Sequence, residues 1–222
     1  RLVAEGLRRV VLCTGHGAEE VEAAFGDAYG GLALAYSRET EPAGTGGALR
    51  LAARMLDDDP VLVMNGDSAC QASLLDFWDW HRTQGAQATV LLAHVADPGR
   101  YGRVDVDESG RVVGFVEKDT TSGPGWVSAG VYVLPGALMA TVSAERPVSL
   151  EREVLPAWVG WGLYGYRSAG AFLAHVAKFT PEWAESITWV GAEKIRAAAR
   201  LFAQTRPAMM EWGCAIEHTP KC

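Results

Sequence analysis

The chain has 222 residues, 49% hydrophobic and 21% charged, with 20 basic residues against 27 acidic ones for a net charge of −7. That composition supplies a sizeable core and excludes disorder throughout. The acidic balance argues against non-specific binding to nucleic acid or to an anionic membrane surface. No run reaches the ~18 apolar residues of a membrane span. The longest candidate, Val127 to Val142, is broken by Pro135 and Gly136, and no signal peptide is visible. Cys13, Cys70, Cys214 and Cys222 form no C-x-x-C pair, which argues against zinc, and so few thiols fit a reducing cytoplasm.

Strand and helix signals alternate through the first two-thirds. Val10 to Cys13 reads as a buried strand, Gly17 to Phe25 as a helix and Leu32 to Tyr36 as a second strand. Gly47 to Leu56 follows with Leu49, Ala52, Ala53 and Leu56 on one helical face. Val61 to Met64 is a third strand, Leu74 to His81 a helix and Ala88 to Val95 a fourth strand. This alternation predicts parallel pairing and an α/β sheet covered on both faces. Arg103 to Val106 and Arg111 to Glu117 then flank Asp107-Glu108-Ser109-Gly110, a β-hairpin signal. Val127 to Leu134 reads as a strand, Leu150 to Val159 as a helix and Gly162 to Arg167 as a strand. From Thr180-Pro181, an N-cap with proline at the first helical position, the texture is helical, and Ala192 to Gln204 carries an apolar stripe. The charge changes at the same place: residues 1–172 hold 14 Lys and Arg against 22 Asp and Glu, and residues 173–222 hold 6 against 5.

Three stretches carry candidate chemistry. Glu41-Pro42-Ala43-Gly44-Thr45-Gly46-Gly47-Ala48 is glycine-rich, follows a strand and opens a helix. Glycines there let main-chain amides approach a ligand, and a helix N-terminus favours an anionic or polar group; the same glycines also suit a purely structural turn. It is neither a dinucleotide fingerprint, since Leu49 takes the place of the third glycine, nor a P-loop, since no Lys-Ser/Thr follows. Asn65-Gly66-Asp67-Ser68 follows the strand ending at Met64, where open α/β sheets bind ligands, and a carboxylate there can hold Mg²⁺ against phosphate oxygens. A simple turn explains the same dipeptides. Glu117-Lys118 ends a strand; the lysine can meet a phosphate and the glutamate sugar hydroxyls, and a solvated strand end is the plainer alternative. The histidines have no metal spacing, and His81, late in its helix, is expected to interact with that helix's C-terminus. Gly-x-Ser-x-Gly is absent.

Taken together, Glu39 to Leu49, Val63 to Ser68, Tyr101-Gly102-Arg103-Val104, Phe115 to Lys118, Trp126 to Tyr132 and Ser149-Leu150-Glu151-Arg152-Glu153 resemble the sugar-1-phosphate nucleotidyltransferases over about residues 1–172. The closing Ser-Leu-Glu-Arg-Glu and the Asn-Gly-Asp-Ser forms look most like the guanylyltransferases acting on manno-heptose or mannose 1-phosphate. The resemblance implies a three-layer Rossmann-like, glycosyltransferase-A-like α/β sheet with a small β-hairpin region and a helical C-terminal appendage. It implies that Glu41, Gly44, Thr45, Gly46, Gly47, Asn65 and Gly66 bind the nucleotide, with Gly44 to Gly47 against the base. By the same resemblance Asp67 holds Mg²⁺, Gly102, Glu117, Ala129 and Gly130 hold the sugar, and Lys118 reaches the sugar phosphate. The implied partners are a nucleoside triphosphate and a sugar 1-phosphate, with pyrophosphate released.

The family opens on a strand and a Gly-Gly-x-Gly-Thr-Arg loop, whereas this chain opens at Arg1 to Gly6 within the helix that follows. The expectation is therefore a sheet lacking its first strand, a missing unit of roughly 30 residues, and an inactive or merely ligand-binding fragment. The family's late aspartate has no counterpart, since Phe172 is followed by Leu173-Ala174-His175-Val176. Residues 173–222, with Ala177 to Ala184, Ala192 to Arg196 and Glu211 to His218, instead resemble an internal stretch of molybdopterin oxidoreductases of the acetylene hydratase type. A chimaera joined near Leu173 is the expected organisation.

Overall fold

The computed structural model describes residues 2–56, 59–66, 68–98, 102–116, 123–169, 172–173, 182, 191–194 and 196–197. The chain divides into two compact units, Arg1–Phe172 and Leu173–Cys222. The first unit begins with β1 (Arg9–Thr14), α1 (Ala18–Phe25), β2 (Ala28–Tyr29) and β3 (Leu32–Arg38). β1 and β3 are parallel, with Arg9 opposite Ala33 and Thr14 opposite Arg38, and β2 folds back antiparallel on β3. α2 (Gly44–Ala52) and a 3₁₀ turn (Ala53–Met55) lead to β4 (Val61–Met64) and the short β5 (Ala69–Cys70). Next come α3 (Leu74–Gln84), β6 (Ala88–Val95), β7 (Arg103–Val106), β8 (Val112–Val116) and β9 (Gly125–Leu134). α4 (Gly136–Ala140), a π-turn (Leu150–Val154), α5 (Leu155–Ala157) and β10 (Leu163–Arg167) follow, and β11 (Phe172–Leu173) falls at the division.

The main sheet is ordered β10-β6-β9-β7-β8, with β4 on β9. It is mixed. β10 runs parallel to β6, but β9 lies antiparallel to β4, β6 and β7. The all-parallel pairing expected from the strand–helix alternation is therefore corrected for β4 and β6: β9, arriving from the hairpin region, pairs with both. Local periodicity encodes that a strand is buried and leaves its neighbour unspecified.

The core explains the continuous apolar runs. Val90, Leu92, Tyr132 and Leu134 pack with Leu138, Leu150 and Leu155 in one cluster, while Leu91, Ala93, Val131 and Val133 pack with Leu74 and Phe77 in another. Alternate residues of β6 and β9 thus serve opposite faces, and both faces are covered, giving three layers. α3 is fixed at its start by Ser73, whose Oγ accepts from the Asp76 N–H at 3.1 Å, and by Glu5, whose Oε2 accepts from the Leu74 and Leu75 amides at 2.6 and 3.2 Å. A carboxylate at that end also meets the helix dipole. α3 runs past His81 to Gln84, and Gly85 ends it in the left-handed region at φ 61°.

Two expected helices change. The helix expected from Gly47 begins at Gly44, so Gly44, Thr45, Gly46 and Gly47 form its first turn. The helix expected over Leu150 to Val159 is a π-turn followed by one short α segment. His81 also departs from expectation: its Nδ1 lies 2.7 Å from Thr89 Oγ1 on β6, and the side chain is buried. Burial pushes its imidazole below the ordinary value. In the second unit, Ala192, Glu193, Lys194, Arg196 and Ala197 are helical, within the span expected to be so. Arg196 pairs with Glu193 at 2.8 Å and with Glu182. The expected Thr180-Pro181 cap and the helix from residue 198 lie outside the described residues. No helix among the described residues is long and apolar enough to cross a membrane.

Candidate functional site

The start of α2 is built against the segment around Val148. Glu39 Oε2 accepts from the Ala43 N–H at 2.8 Å and steadies the entry to the helix. The Val148 N–H donates to the Ala43 carbonyl and the Gly46 N–H to the Val148 carbonyl, both at 2.8 Å. A β-carbon on Gly44, at φ +72°, would lie 2.6 Å from the Val148 oxygen; on Gly46 it would lie 3.1 Å from the same atom, and on Gly47 2.6 Å from Ala43 Cβ. Close backbone approach therefore accounts for these glycines structurally. The Gly46 amide is engaged within the protein, while Gly44 and Thr45 are exposed at the helix mouth.

Glu151 links this mouth to the sheet. Its Oε2 accepts from Thr45 Oγ1 at 3.0 Å and from Ser149 Oγ at 3.5 Å, and its Oε1 accepts from the Tyr132 hydroxyl at 3.2 Å. Thr45 Oγ1 accepts in turn from the Leu150 N–H at 2.8 Å. The Tyr132 hydroxyl accepts from Ser128 Oγ at 3.0 Å, and Ser128 Oγ accepts from the Gly130 N–H at 3.2 Å. The π-turn makes this reach possible. Ser149 caps it by accepting from the Arg152 N–H at 3.2 Å, and Glu153 accepts from the Ser149 N–H at 3.0 Å, a reciprocal arrangement like a capping box. Arg146 bonds Glu153 at 2.6 Å, and that bond, then the one from the Ser149 amide, holds the Glu153 carboxyl below its ordinary range.

Gly130 is the far end of the chain of bonds. Its carbonyl accepts from the Asn65 N–H at 2.8 Å, and its φ is +71°. A β-carbon there would meet the Asn65 side chain at 3.0–3.1 Å, so glycine lets the residue after β4 close on β9. The register between β6 and β9 shifts at this level. Ala129 is itself buried, with its methyl in the Phe77 cluster. Gly66 is exposed, and a β-carbon on it would meet nothing within 4 Å, so the space beyond β4 is open. Gly102, at φ +77°, opens β7. Glu41 is exposed. Asp67, Glu117 and Lys118 lie outside the described residues.

Hydrogen bonds thus connect Thr45, through Glu151, Tyr132 and Ser128, to Gly130 and Asn65, while Gly44, Gly46 and Gly47 lie close against Val148 and Ala43 beside Thr45. Glu151, Tyr132 and Ser128, which make the connection, carry no role in the sequence reading. The capping pattern of Ser149 and Glu153 is the signal that could have drawn attention to Glu151. Among the described residues no group of three or more His, Cys, Asp or Glu could hold a metal ion. Mg²⁺ usually takes one or two carboxylates and completes its shell with phosphate and water, and the carboxylate that the resemblance assigns to it, Asp67, lies outside the described residues. Cys13 lies against this region, with Sγ 3.8 Å from the Ala48 carbonyl; partial burial, then Glu39, push its thiol up, away from nucleophilic reactivity. A cavity of about 550 Å³ at the end of α3, lined by Pro60, Trp78 and Arg82 among others, contains none of the residues expected at the site.

Comparison with known proteins bears on the family and the fold. The family model described as nucleotidyl transferase matches residues 1–155. The mannose-1-phosphate guanylyltransferase of Mycobacterium tuberculosis is 38% identical over 173 residues, covering 76% of this chain and 48% of that protein. The D-glycero-alpha-D-manno-heptose 1-phosphate guanylyltransferase of Aneurinibacillus thermoaerophilus is 33% identical over 170 residues, covering 76% of this chain and 73% of that protein. The chain spans about half the length of the mannose-1-phosphate enzymes it matches. The crystal structure of HddC from Yersinia pseudotuberculosis complexed with GMP-PN shares the fold, with a TM-score of 0.68 at 23% identity over 80% of this chain and 77% of that one. With a family match over most of the chain and a relative covered over nearly three-quarters of its length, the chain belongs to the nucleotidyl transferase family, among the sugar-1-phosphate nucleotidyltransferases.

Proposed function

We propose that the first unit serves guanylyl transfer to mannose 1-phosphate or manno-heptose 1-phosphate. A phosphate oxygen of the sugar 1-phosphate attacks the α-phosphorus of GTP in line; the bond from that phosphorus to the bridging oxygen breaks, pyrophosphate leaves and a GDP-sugar forms. The sugar phosphate arrives as an anion, so no strong general base is needed, and positioning with charge neutralisation supplies the rate. The observation that carries the reading is the bonded chain from Thr45 through Glu151, Tyr132 and Ser128 to Gly130, which ties the mouth of α2 to the turn after β4. In this reading Glu41, Gly44, Thr45, Asn65 and Gly66 face the nucleotide, with Gly46 and Gly47 buried behind them. Gly102, Glu117, Ala129 and Gly130 face the sugar, and Lys118 faces its phosphate. Asp67 is the residue assigned to Mg²⁺, which when bound neutralises charge on the nucleotide phosphates. The guanine preference is supported by the names of the mycobacterial and Aneurinibacillus relatives. Residues 173–222, with their oxidoreductase-like sequence, are proposed as a separate appendage outside this reaction.

The test is pyrophosphate release with GTP, UTP and dTTP against each of the two sugar phosphates, alongside calorimetry with the same nucleotides. The expected result is that GTP binds best and turns over with a manno-configured sugar. A preference for UTP or dTTP overturns the guanylyl assignment. GTP binding without turnover supports a second reading, a non-catalytic nucleotide-binding protein built on the same bonded chain.

A further inference from the structure

A second cavity, of about 270 Å³, lies among the ends of β6, β7, β9 and β10, and none of its lining residues belongs to the candidate site described above. Its polar lining is cationic in a chain whose net charge is −7: Arg103 and Arg167 stand against Asp105, with the exposed imidazole of His94 beside them. Each of these side chains is positioned. Arg167 Nη2 donates to the Asp107 carbonyl at 3.0 Å and to that of Val106 at 3.4 Å, which sets its planar guanidinium beside the end of β7. Arg103 Nε donates to Asp105 Oδ1 at 2.7 Å, which fixes the second guanidinium. His94 is held edge-to-face against Trp126, with ring centroids 5.0 Å apart. Trp126 and Pro124 add an apolar wall.

Two guanidiniums lining one cavity can meet the oxygens of a phosphate group, and holding them in place beforehand lowers the ordering cost of binding. The volume is below the ~300–1,000 Å³ of sites for drug-sized ligands and suits a small metabolite. We propose that this cavity binds a small phosphate-bearing anion, at a site separate from that of nucleotidyl transfer. The inference rests on the cavity alone and stands whether or not the functional reading above is right.

Calorimetry on the full chain tests it, with inorganic phosphate and glycerol 3-phosphate titrated separately at constant ionic strength, with and without saturating GTP. The expected result is saturable one-site binding that persists in GTP and weakens about tenfold or more in R167Q. Tighter binding of glycerol 3-phosphate identifies a phosphate monoester as the occupant, and tighter binding of inorganic phosphate identifies the free anion; both uphold the site. If R167Q fails to fold by circular dichroism, H94A, which removes an exposed ring, takes its place with an expected weakening of about threefold. The proposal is overturned by the absence of saturable heat up to about 50 mM of either probe. Affinity unchanged in the folded variant also overturns it, as does heat abolished by GTP, which assigns the anion to the nucleotide site.

Discussion

Replacing Glu151 by alanine removes one carboxylate that accepts from two elements at once. Tyr132 is fully buried, and its hydroxyl donates to Glu151 Oε1 at 3.2 Å. Deleting the acceptor takes one hydrogen bond from a buried hydroxyl, at a cost of ~1–3 kcal/mol. Thr45 Oγ1 loses its 3.0 Å bond but is exposed and rebonds to water, so it adds only about 0.5 kcal/mol. The total for Glu151→Ala is therefore about 1.5–3.5 kcal/mol, read as a lower midpoint in urea at unchanged m. Glu151→Gln keeps an acceptor for Tyr132 and costs about 1 kcal/mol or less. In a Tyr132→Phe background the buried donor is already gone, so Glu151→Ala loses about 1–2 kcal/mol of its effect. Additive losses in that cycle, or a Glu151→Ala chain within about 0.5 kcal/mol of the unaltered one, refute the shared network.

The mouth of α2 and α3 provide three further predictions. Gly44→Ala puts a β-carbon 2.6 Å from the Val148 oxygen at φ +72° and is expected to cost about 2–4 kcal/mol, measured by the same denaturation. Ser149→Ala removes the side-chain acceptor of the Arg152 amide and is expected to cost about 1 kcal/mol, also read from the urea midpoint. His81 makes stability pH-dependent because burial lowers its folded pKa. Above its ordinary value of ~6.5 neither state is protonated; as the pH falls below that value the unfolded chain takes up the proton first, and stability declines toward the folded pKa. Urea midpoints from about pH 7.5 to 5.5 should therefore fall less steeply in His81→Gln, and equal slopes would count against the burial argument.

Much of the fold is legible in the sequence where both faces of a strand are buried. Ala88 to Val95 announces itself because β6 lies inside the sheet, Val61 to Met64 does so by its apolar run although β4 has only β9 as a neighbour among the described strands and is partly exposed, and Ser73 with Gly85 brackets α3 by chemistry that acts within a few residues. What is not legible depends on which distant segment arrives. Nothing local in Gly125–Leu134 says that β9 pairs with both β4 and β6. His81 has a nearby helix terminus to serve, and only the parallel advance of β6 brings Thr89 within 2.7 Å of it. The π-turn has the same character: Leu150 to Val159 has helical apolar spacing, and the demand that opens its first turn is the carboxylate link from Glu151 to Thr45, 106 positions earlier in the chain.

The glycine stretch shows why a motif and its physical cause can point in different directions while both hold. Read as sequence, Gly44 to Gly47 suggests amides presented to a ligand. In the fold, Gly44 and Gly46 have no β-carbon because Val148 closes on them, and the Gly46 amide already has a partner in the protein. The ligand-facing capacity of the segment is then concentrated in Gly44 and Thr45, the exposed first residues of α2. Thr45 is also where the bonded chain from the sheet ends, with its hydroxyl donating to Glu151 and accepting from Leu150. A helix mouth whose exposed hydroxyl is fixed in this way is stiffer than a glycine-rich loop, and ligand approach there leaves the backbone little to reorganise. In the proposed reading the glycines act indirectly: they let the Val148 segment dock, and that docking holds Leu150 and Glu151 where they fix Thr45.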